Sequence, residues 1–409
     1  MRRAGGLPSR EHHASHHSWR IGGPTRSVRV RHILAALPAL GAGLICGGGE
    51  KSLTHQPISL TFAAVSAGGF YSCGVTSDGV AYCWGRNDFG QLGDGTVIDR
   101  TNPVRVAGDL SFAAVSAGYS HTCGVTTTGA AFCWGFNSDG QLGDGTTTTR
   151  LSPVRVAGDL SFVTVSAGNN HTCGITAAGA AYCWGDNSEG QLGDGTKTHR
   201  KNPVRVTGDL IFTAVSVGTF HSCGVTAGGA AFCWGSNAVG ALGDGTTVSQ
   251  LSPVPVAGDI TFATISVSSF HSCGLTADGA AFCWGGNALG QIGDGTKTLR
   301  SRPVPVGGGL SFRTVSAGFQ QTCGVTAGGL AYCWGDNARG QLGDGTKTQR
   351  SRPVPVAGGM RFHAVSTGPV THTCGVTTEG AAYCWGFNGR GQLGDGTTTD
   401  RKSPVRAVQ

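Results

Sequence analysis

Apolar and polar positions repeat along this chain in a unit of about 50 residues, written seven times from about residue 57 onward. In the second unit, short apolar runs at Phe112 to Ser116, Thr122 to Thr126, Ala130 to Trp134 and Pro153 to Val156 are separated by turn signals. Those signals include Thr128-Gly129, Asp139-Gly140 and Asp144-Gly145. Runs of this length bounded by glycine predict four short strands per unit. The Cys-Trp-Gly marker falls at Trp84, Trp134, Trp184, Trp234, Trp284, Trp334 and Trp385, the last step being one residue longer because of an insertion around Pro369-Val370-Thr371. A fixed period in this range marks a solenoid, an array or a propeller. Seven units of four strands predict an all-β, seven-bladed β-propeller, which protects its sheet edges by radial repetition.

The predicted core recurs with the unit. Phe stands at 62, 112, 162, 212, 262, 312 and 362, and Tyr or Phe at 82, 132, 182, 232, 282, 332 and 383. One such set per blade, with the tryptophan, fills the space between neighbouring sheets. Composition agrees: 71 glycines, 2 methionines and 13% charged residues do not describe a helical protein. Pro57-Ile58-Ser59-Leu60 loosely resembles the outer strand Pro103 to Val106, so either end of the chain could complete the last blade.

Charge is unevenly placed. Residues 1–51 hold eight Lys or Arg against two Glu, whereas the remainder holds 22 basic and 21 acidic residues. A nearly neutral body lacks the basic face that captures phosphates, so nucleic acid is not an expected partner. Three arginines between Arg26 and His32 precede the apolar run Ile33 to Cys46, which is long enough for the core of a signal peptide and too short to span a bilayer. Cys46, followed by Gly47-Gly48-Gly49, resembles a lipidated cysteine, although Gly43-Leu44-Ile45 fits that cleavage pattern poorly. The expected division is an export or lipoprotein-type signal over 1–46, a Gly-rich linker over 47–56 and the propeller over 57–409.

Fourteen of the fifteen cysteines form C-x9-C pairs: Cys73 with Cys83, Cys123 with Cys133, Cys173 with Cys183, Cys223 with Cys233, Cys273 with Cys283, Cys323 with Cys333 and Cys374 with Cys384. A turn midway, as at Ser77-Asp78-Gly79, sets each pair directly opposite across a hairpin and within disulfide range. An exported context favours seven bridges; packed thiols in a reducing compartment are the alternative. Zinc would need four ligands close together where each pair supplies two.

The units read Gly-x-x-His-x-Cys-Gly-Val-Thr, then Gly-Ala-Ala-Tyr-Cys-Trp-Gly-x-Asn, then Gly-Gln-Leu-Gly-Asp-Gly-Thr. This resembles the regulator of chromosome condensation repeat family, of a secreted, cysteine-paired bacterial type. The resemblance implies a seven-bladed propeller that serves as a binding platform. The family's founding member is a nuclear exchange factor for a small GTPase that docks on chromatin, and it acts through a wedge inserted in one blade; no comparable insertion stands here.

Several repeated motifs invite a catalytic reading and are better read as structural. Ala-Val-Ser-Ala-Gly lacks the first glycine of a nucleophile elbow and recurs in most units. The His at 121, 171, 221, 271 and 372 becomes Tyr71 and Gln321 elsewhere, which suits a hydrogen bond that pins a loop. The Asp of Gly-Asp-Gly supplies one carboxylate per loop, too few for calcium, and is expected to stabilise its turn; the Arg that stands six residues on in six of seven units, Gln250 being the exception, is expected to pair with it, a basic ring on one face being the alternative. No catalytic residue, metal site or cofactor is expected.

Residues that differ between units carry more information. Phe70, Tyr119, Phe220, Phe270 and Phe319 vary in the loop before the His position and are the expected partner-binding residues, as anchors of an interface, with local packing against the next blade as the alternative. Arg86, Phe89, Phe136, Leu289, Arg339, Phe387 and Arg390 vary after Trp-Gly. The expected molecule is an exported, periplasmic, cell-surface or extracellular monomer, without enzymatic activity, that binds a protein or carbohydrate through these loops and meets a membrane only through a lipid anchor. A guanine-nucleotide exchange factor or chromatin-type adaptor is the alternative.

Overall fold

The computed structural model describes residues 60–408. The expectations for the segment 1–46, for the linker 47–56, for Cys46 and for Pro57 to Ser59 lie outside the described residues. Blade 1 consists of β1 (Phe62–Ala67), β2 (Tyr71–Thr76), β3 (Ala81–Gly85) and β4 (Arg100–Arg105). Six further blades repeat this order, and each is a four-stranded antiparallel sheet of consecutive strands. The seven-bladed, all-β propeller is therefore as the sequence pattern predicts.

First strands of adjacent blades neighbour one another around the ring, so they form the inner wall. β2 is buried along its whole length because blades cover both its faces. The fourth strand is the exposed edge and starts three residues earlier than the apolar pattern indicates: blade 2 runs Arg150–Arg155, with Arg150 paired to Gly135 across a bulge. An edge strand facing solvent carries no apolar signature at Arg150-Leu151-Ser152, which explains the shortened expectation. Proline in every outer strand (Pro103 in blade 1, Pro153 in blade 2) removes a donor from the edge and so discourages further pairing.

Packing runs between blades. Trp134 and Phe112 of blade 2 join the Cys73–Cys83 pair, Val75 and Leu92 of blade 1 in one buried cluster, and the other six interfaces are built alike. The glycine after that leucine is forced by the packing: at Gly93, with φ 70°, a Cβ would lie 2.6 Å from Trp134 Nε1.

All seven expected cysteine pairs are bridged, one in each blade. Cys73 is bonded to Cys83, Cys123 to Cys133, Cys173 to Cys183 and Cys223 to Cys233. Cys273 is bonded to Cys283, Cys323 to Cys333 and Cys374 to Cys384. The paired Cα atoms lie 4.0–4.1 Å apart throughout. The alternative of packed free thiols is therefore not what the blades contain. Cys73 faces Cys83 in register, and the Thr76 N–H bond to Val80 O makes this a non-hydrogen-bonded pair, the closest kind in an antiparallel ladder. Cys133, Cys233, Cys283, Cys333 and Cys384 sit at the same register position on the third strands of their own blades, each opposite its partner on the second.

The recurring polar residues complete the ring. In each blade the Ser of Ala-Val-Ser accepts an inner-strand backbone N–H of the next blade at 2.9–3.2 Å, from Ser66 with Ala117 to Ser366 with Ala67. This serine thus supplies the acceptor that an inner strand, lacking a neighbour in its own sheet, would otherwise miss. The C-terminal strand Arg401–Arg406 is the outer strand of blade 7, and blade 7 meets blade 1 through the same contacts as the other interfaces. Of the two ends, the C-terminal one completes the last blade.

Candidate binding face

Two sets of loops meet on one face: the turns between first and second strands, and the long connections between third and fourth. The first set is held by its histidines. His121, His171, His221, His271 and His372 are buried, and each Nε2 lies 2.7–2.9 Å from a Ser or Thr hydroxyl of the next blade. That hydroxyl donates its one hydrogen to a backbone carbonyl, as Thr172 does to Gln141 O at 2.9 Å. It must therefore accept from the imidazole, so Nε2 carries the proton. Burial pushes these imidazoles down to about 3, and His171 to about 4, so they are neutral. The bond the sequence assigns to a loop in fact joins two blades. Tyr71 substitutes by donating to His121 O at 2.6 Å, while Gln321 makes no such bond among the described residues.

The second set is organised by Asp and Asn. Asp94 Oδ1 accepts from Thr96 N–H, Thr96 hydroxyl and Asn87 Nδ2, and Oδ2 accepts from Arg100 at 2.9 Å. Five other blades repeat the Arg–Asp pair; blade 4 has Gln250 in place of Arg, yet Asp244 still holds Thr246. In six of those loops a Gln Oε1 accepts the backbone N–H two residues earlier, as Gln91 does from Phe89 at 2.9 Å.

Non-repeated residues gather at the mouth of the central channel, in a cavity of about 600 Å³ lined in part by Arg86, Phe89, Tyr119, Phe136, Phe220, Phe270 and Phe319. Phe70 lies 6.2 Å from Tyr119 and 5.9 Å from Phe387, ring centre to ring centre. Phe89 and Phe136 are 4.8 Å apart. Arg86 sits over Phe89 and Phe70, and Arg339 over Phe387. An aromatic arc thus spans blades 7, 1 and 2, with Phe270 and Phe319 as a second pair 5.4 Å apart. Most of these rings are half-buried against each other; Phe220 is the one that stands out, 40% exposed. The rim arginines each face an aspartate: Arg86 with Asp88, Arg339 with Asp400, Arg390 with Asp99. The mouth is therefore aromatic, with each of these arginines paired to an aspartate. Channel serines are engaged with backbone, and no cluster of three or more metal-ligating side chains occurs among the described residues. Nor is any helix there long and apolar enough to cross a membrane.

The model of the RCC1-like domain matches residues 158–409, and that of the regulator of chromosome condensation (RCC1) repeat matches 78–125 and 128–175. The chain belongs to the RCC1 repeat family. The RCC1 fold is also evident in solved structures. Human WBSCR16 is 22% identical with a TM-score of 0.74, the match covering 81% of this chain and 94% of that one. Prp20p of Saccharomyces cerevisiae, described with its binding to Gsp1p and histones, is 21% identical with a TM-score of 0.73, covering 82% and 87%. The ectodomain of the Physcomitrella patens receptor kinase CR4 is 23% identical with a TM-score of 0.54, covering 80% and 74%. No curated protein matches the chain. At these identities the structures share the fold alone. Within this RCC1 propeller, sequence reasoning placed the five rim aromatics on one face. Packing of these rings against the next blade, the alternative reading of the sequence, is what most of them adopt; what sequence reasoning missed is a gap between blades 4 and 5 whose signal, Ala241 in the position of the six glutamines, stood openly in the repeat.

Proposed function

We propose that this RCC1-family chain is an exported, non-catalytic propeller that grips a protein partner at the mouth of its channel. The observation that carries this reading is the concentration of non-repeated aromatics there. Blade cores repeat because every interface is the same, so ring-bearing residues outside the repeat answer to another demand. Tyrosine, phenylalanine and arginine are the side chains that anchor interfaces. Export is supported by a bridge in every blade, since disulfides persist in oxidising compartments. It is also supported by the Arg-flanked apolar run Ile33 to Cys46. The structural relatives include a receptor ectodomain with this fold and a propeller described with protein ligands.

The test is site-specific photo-crosslinking in the native host. A benzophenone amino acid at position 220 or 136 should give a protease-sensitive adduct of discrete mass, and the same probe at Leu330, exposed on the opposite face, should give none. Equal adducts at both faces, or none at the rim, would refute the proposal. Intact mass after alkylation without reduction tests export: fourteen unlabelled body cysteines on a chain shortened towards Cys46 are expected.

A further inference from the structure

The interface between blades 4 and 5 departs from the other six in two places at once. Ala241 stands where the other blades carry a buried glutamine, so the side chain that fills the cleft behind the loop is missing. Gly286 stands at the position that closes the cleft from the following blade. Its counterpart Phe136 packs on Phe89 at 4.8 Å, and its counterpart Phe387 lies under Arg339 at 5.2 Å. A Cβ at Gly286 would lie 3.9 Å from Val239 Cβ, so any larger residue there would begin to cover Val239. The two absences come from different blades and converge on one gap.

That gap is a cavity of about 190 Å³, lined by Phe220, His221, Ser236, Val239, Ala241 and Phe270 among others, and opening beside the most exposed rim aromatic. A dry cavity of roughly 150 Å³ is large enough for one benzene ring. The walls are mainly apolar, with one specific polar demand. In six blades a glutamine Oε1 lies 2.8–3.0 Å from the backbone N–H two residues earlier. At Ala241 that oxygen is gone, so the Val239 N–H faces the gap without it. Val239 is partly buried, and a ligand that brings an oxygen to this donor restores the bond that the other six blades make.

We infer that this gap is a pocket for a tyrosine side chain of the protein partner, its ring between Phe220 and Phe270 and its phenol oxygen in the place of the missing glutamine oxygen, accepting from Val239 N–H. A single buried ring in a central pocket is the usual form of an interface anchor. The inference deepens the binding-platform reading and rests on it for its use in the cell.

Its test needs no natural partner. The full, disulfide-intact chain is titrated with p-cresol, the tyrosine side-chain analogue, and with toluene, which lacks the oxygen, while the Val239 amide is followed by NMR. p-Cresol should bind, shift the Val239 amide downfield and do so at least fivefold more tightly than toluene. Ala241→Gln, which installs the side chain of the other blades, should weaken p-cresol at least tenfold with no loss of thermal stability. Absence of p-cresol binding, equal affinity for toluene, or unchanged affinity in Ala241→Gln would overturn the assignment. Crosslinking from the rim together with an empty pocket would overturn the pocket and leave the platform standing. A p-cresol site without rim crosslinks would do the reverse.

Discussion

Lowering the pH from 7 to 5 is expected to destabilise the propeller by about 10 kcal/mol through five histidines. His121, His171, His221, His271 and His372 are buried and neutral, and burial holds them at about 3, or about 4 for His171. In the unfolded chain a histidine titrates near 6.5. The folded value is the lower one, so protons bind the unfolded state preferentially. This stability is complete above about pH 6.5 and is lost as pH falls, down to the folded values. Each histidine forfeits about 2 kcal/mol by pH 5. The aspartates of the long loops are also lowered, so their contribution starts to be lost only as pH falls into the ordinary carboxylate range, near 4, which leaves the window from 6.5 to about 4.5 to the histidines. Urea unfolding with disulfides intact, at pH 7 and pH 5, measures the difference. The triple variant His121→Gln, His221→Gln, His271→Gln copies what Gln321 already does in blade 6, and should shrink the difference to about 4 kcal/mol. A wild-type protein equally stable at both pH values would refute the reasoning, as would a triple variant with an undiminished drop.

Three further outcomes follow from the repeat. Ser266→Ala leaves the Ala317 N–H, now bonded at 2.9 Å, without its acceptor; a loss of about 1–3 kcal/mol and faster amide exchange at Ala317 are expected. Replacing Cys173 and Cys183 together by Ala opens a loop of sequence separation 10, so the urea midpoint should fall by the equivalent of about 2–3 kcal/mol. Arg300→Gln reproduces blade 4 and should cost under about 1 kcal/mol, because the arginine is a third exposed. Asp294→Ala should cost more in thermal denaturation, since Asn287 and Thr296 then lose their shared acceptor.

The sequence by itself determined the blade count, the strand order, the cysteine pairs and the ring-bearing core. All of these are local or strictly periodic, and a period of 50 residues repeats each contact seven times, so the pattern carries its own confirmation. It also determined that Phe70, Tyr119, Phe220, Phe270 and Phe319 share one face, because all five precede a second strand. Tertiary structure alone decided what those rings do. Phe70 turns into the arc with Tyr119 and Phe387, and Phe220 stays exposed, because neighbours from other blades, distant in sequence, set each surrounding. The same holds for the histidines, whose partners lie 51 residues on or, for His372, 300 residues back across the ring closure, and for the edge strand at Arg150, which has no apolar face to advertise. The gap beside Ala241 is the sharpest case. One missing side chain is visible in the repeat, but its coincidence with Gly286 is created only when two blades are pressed together.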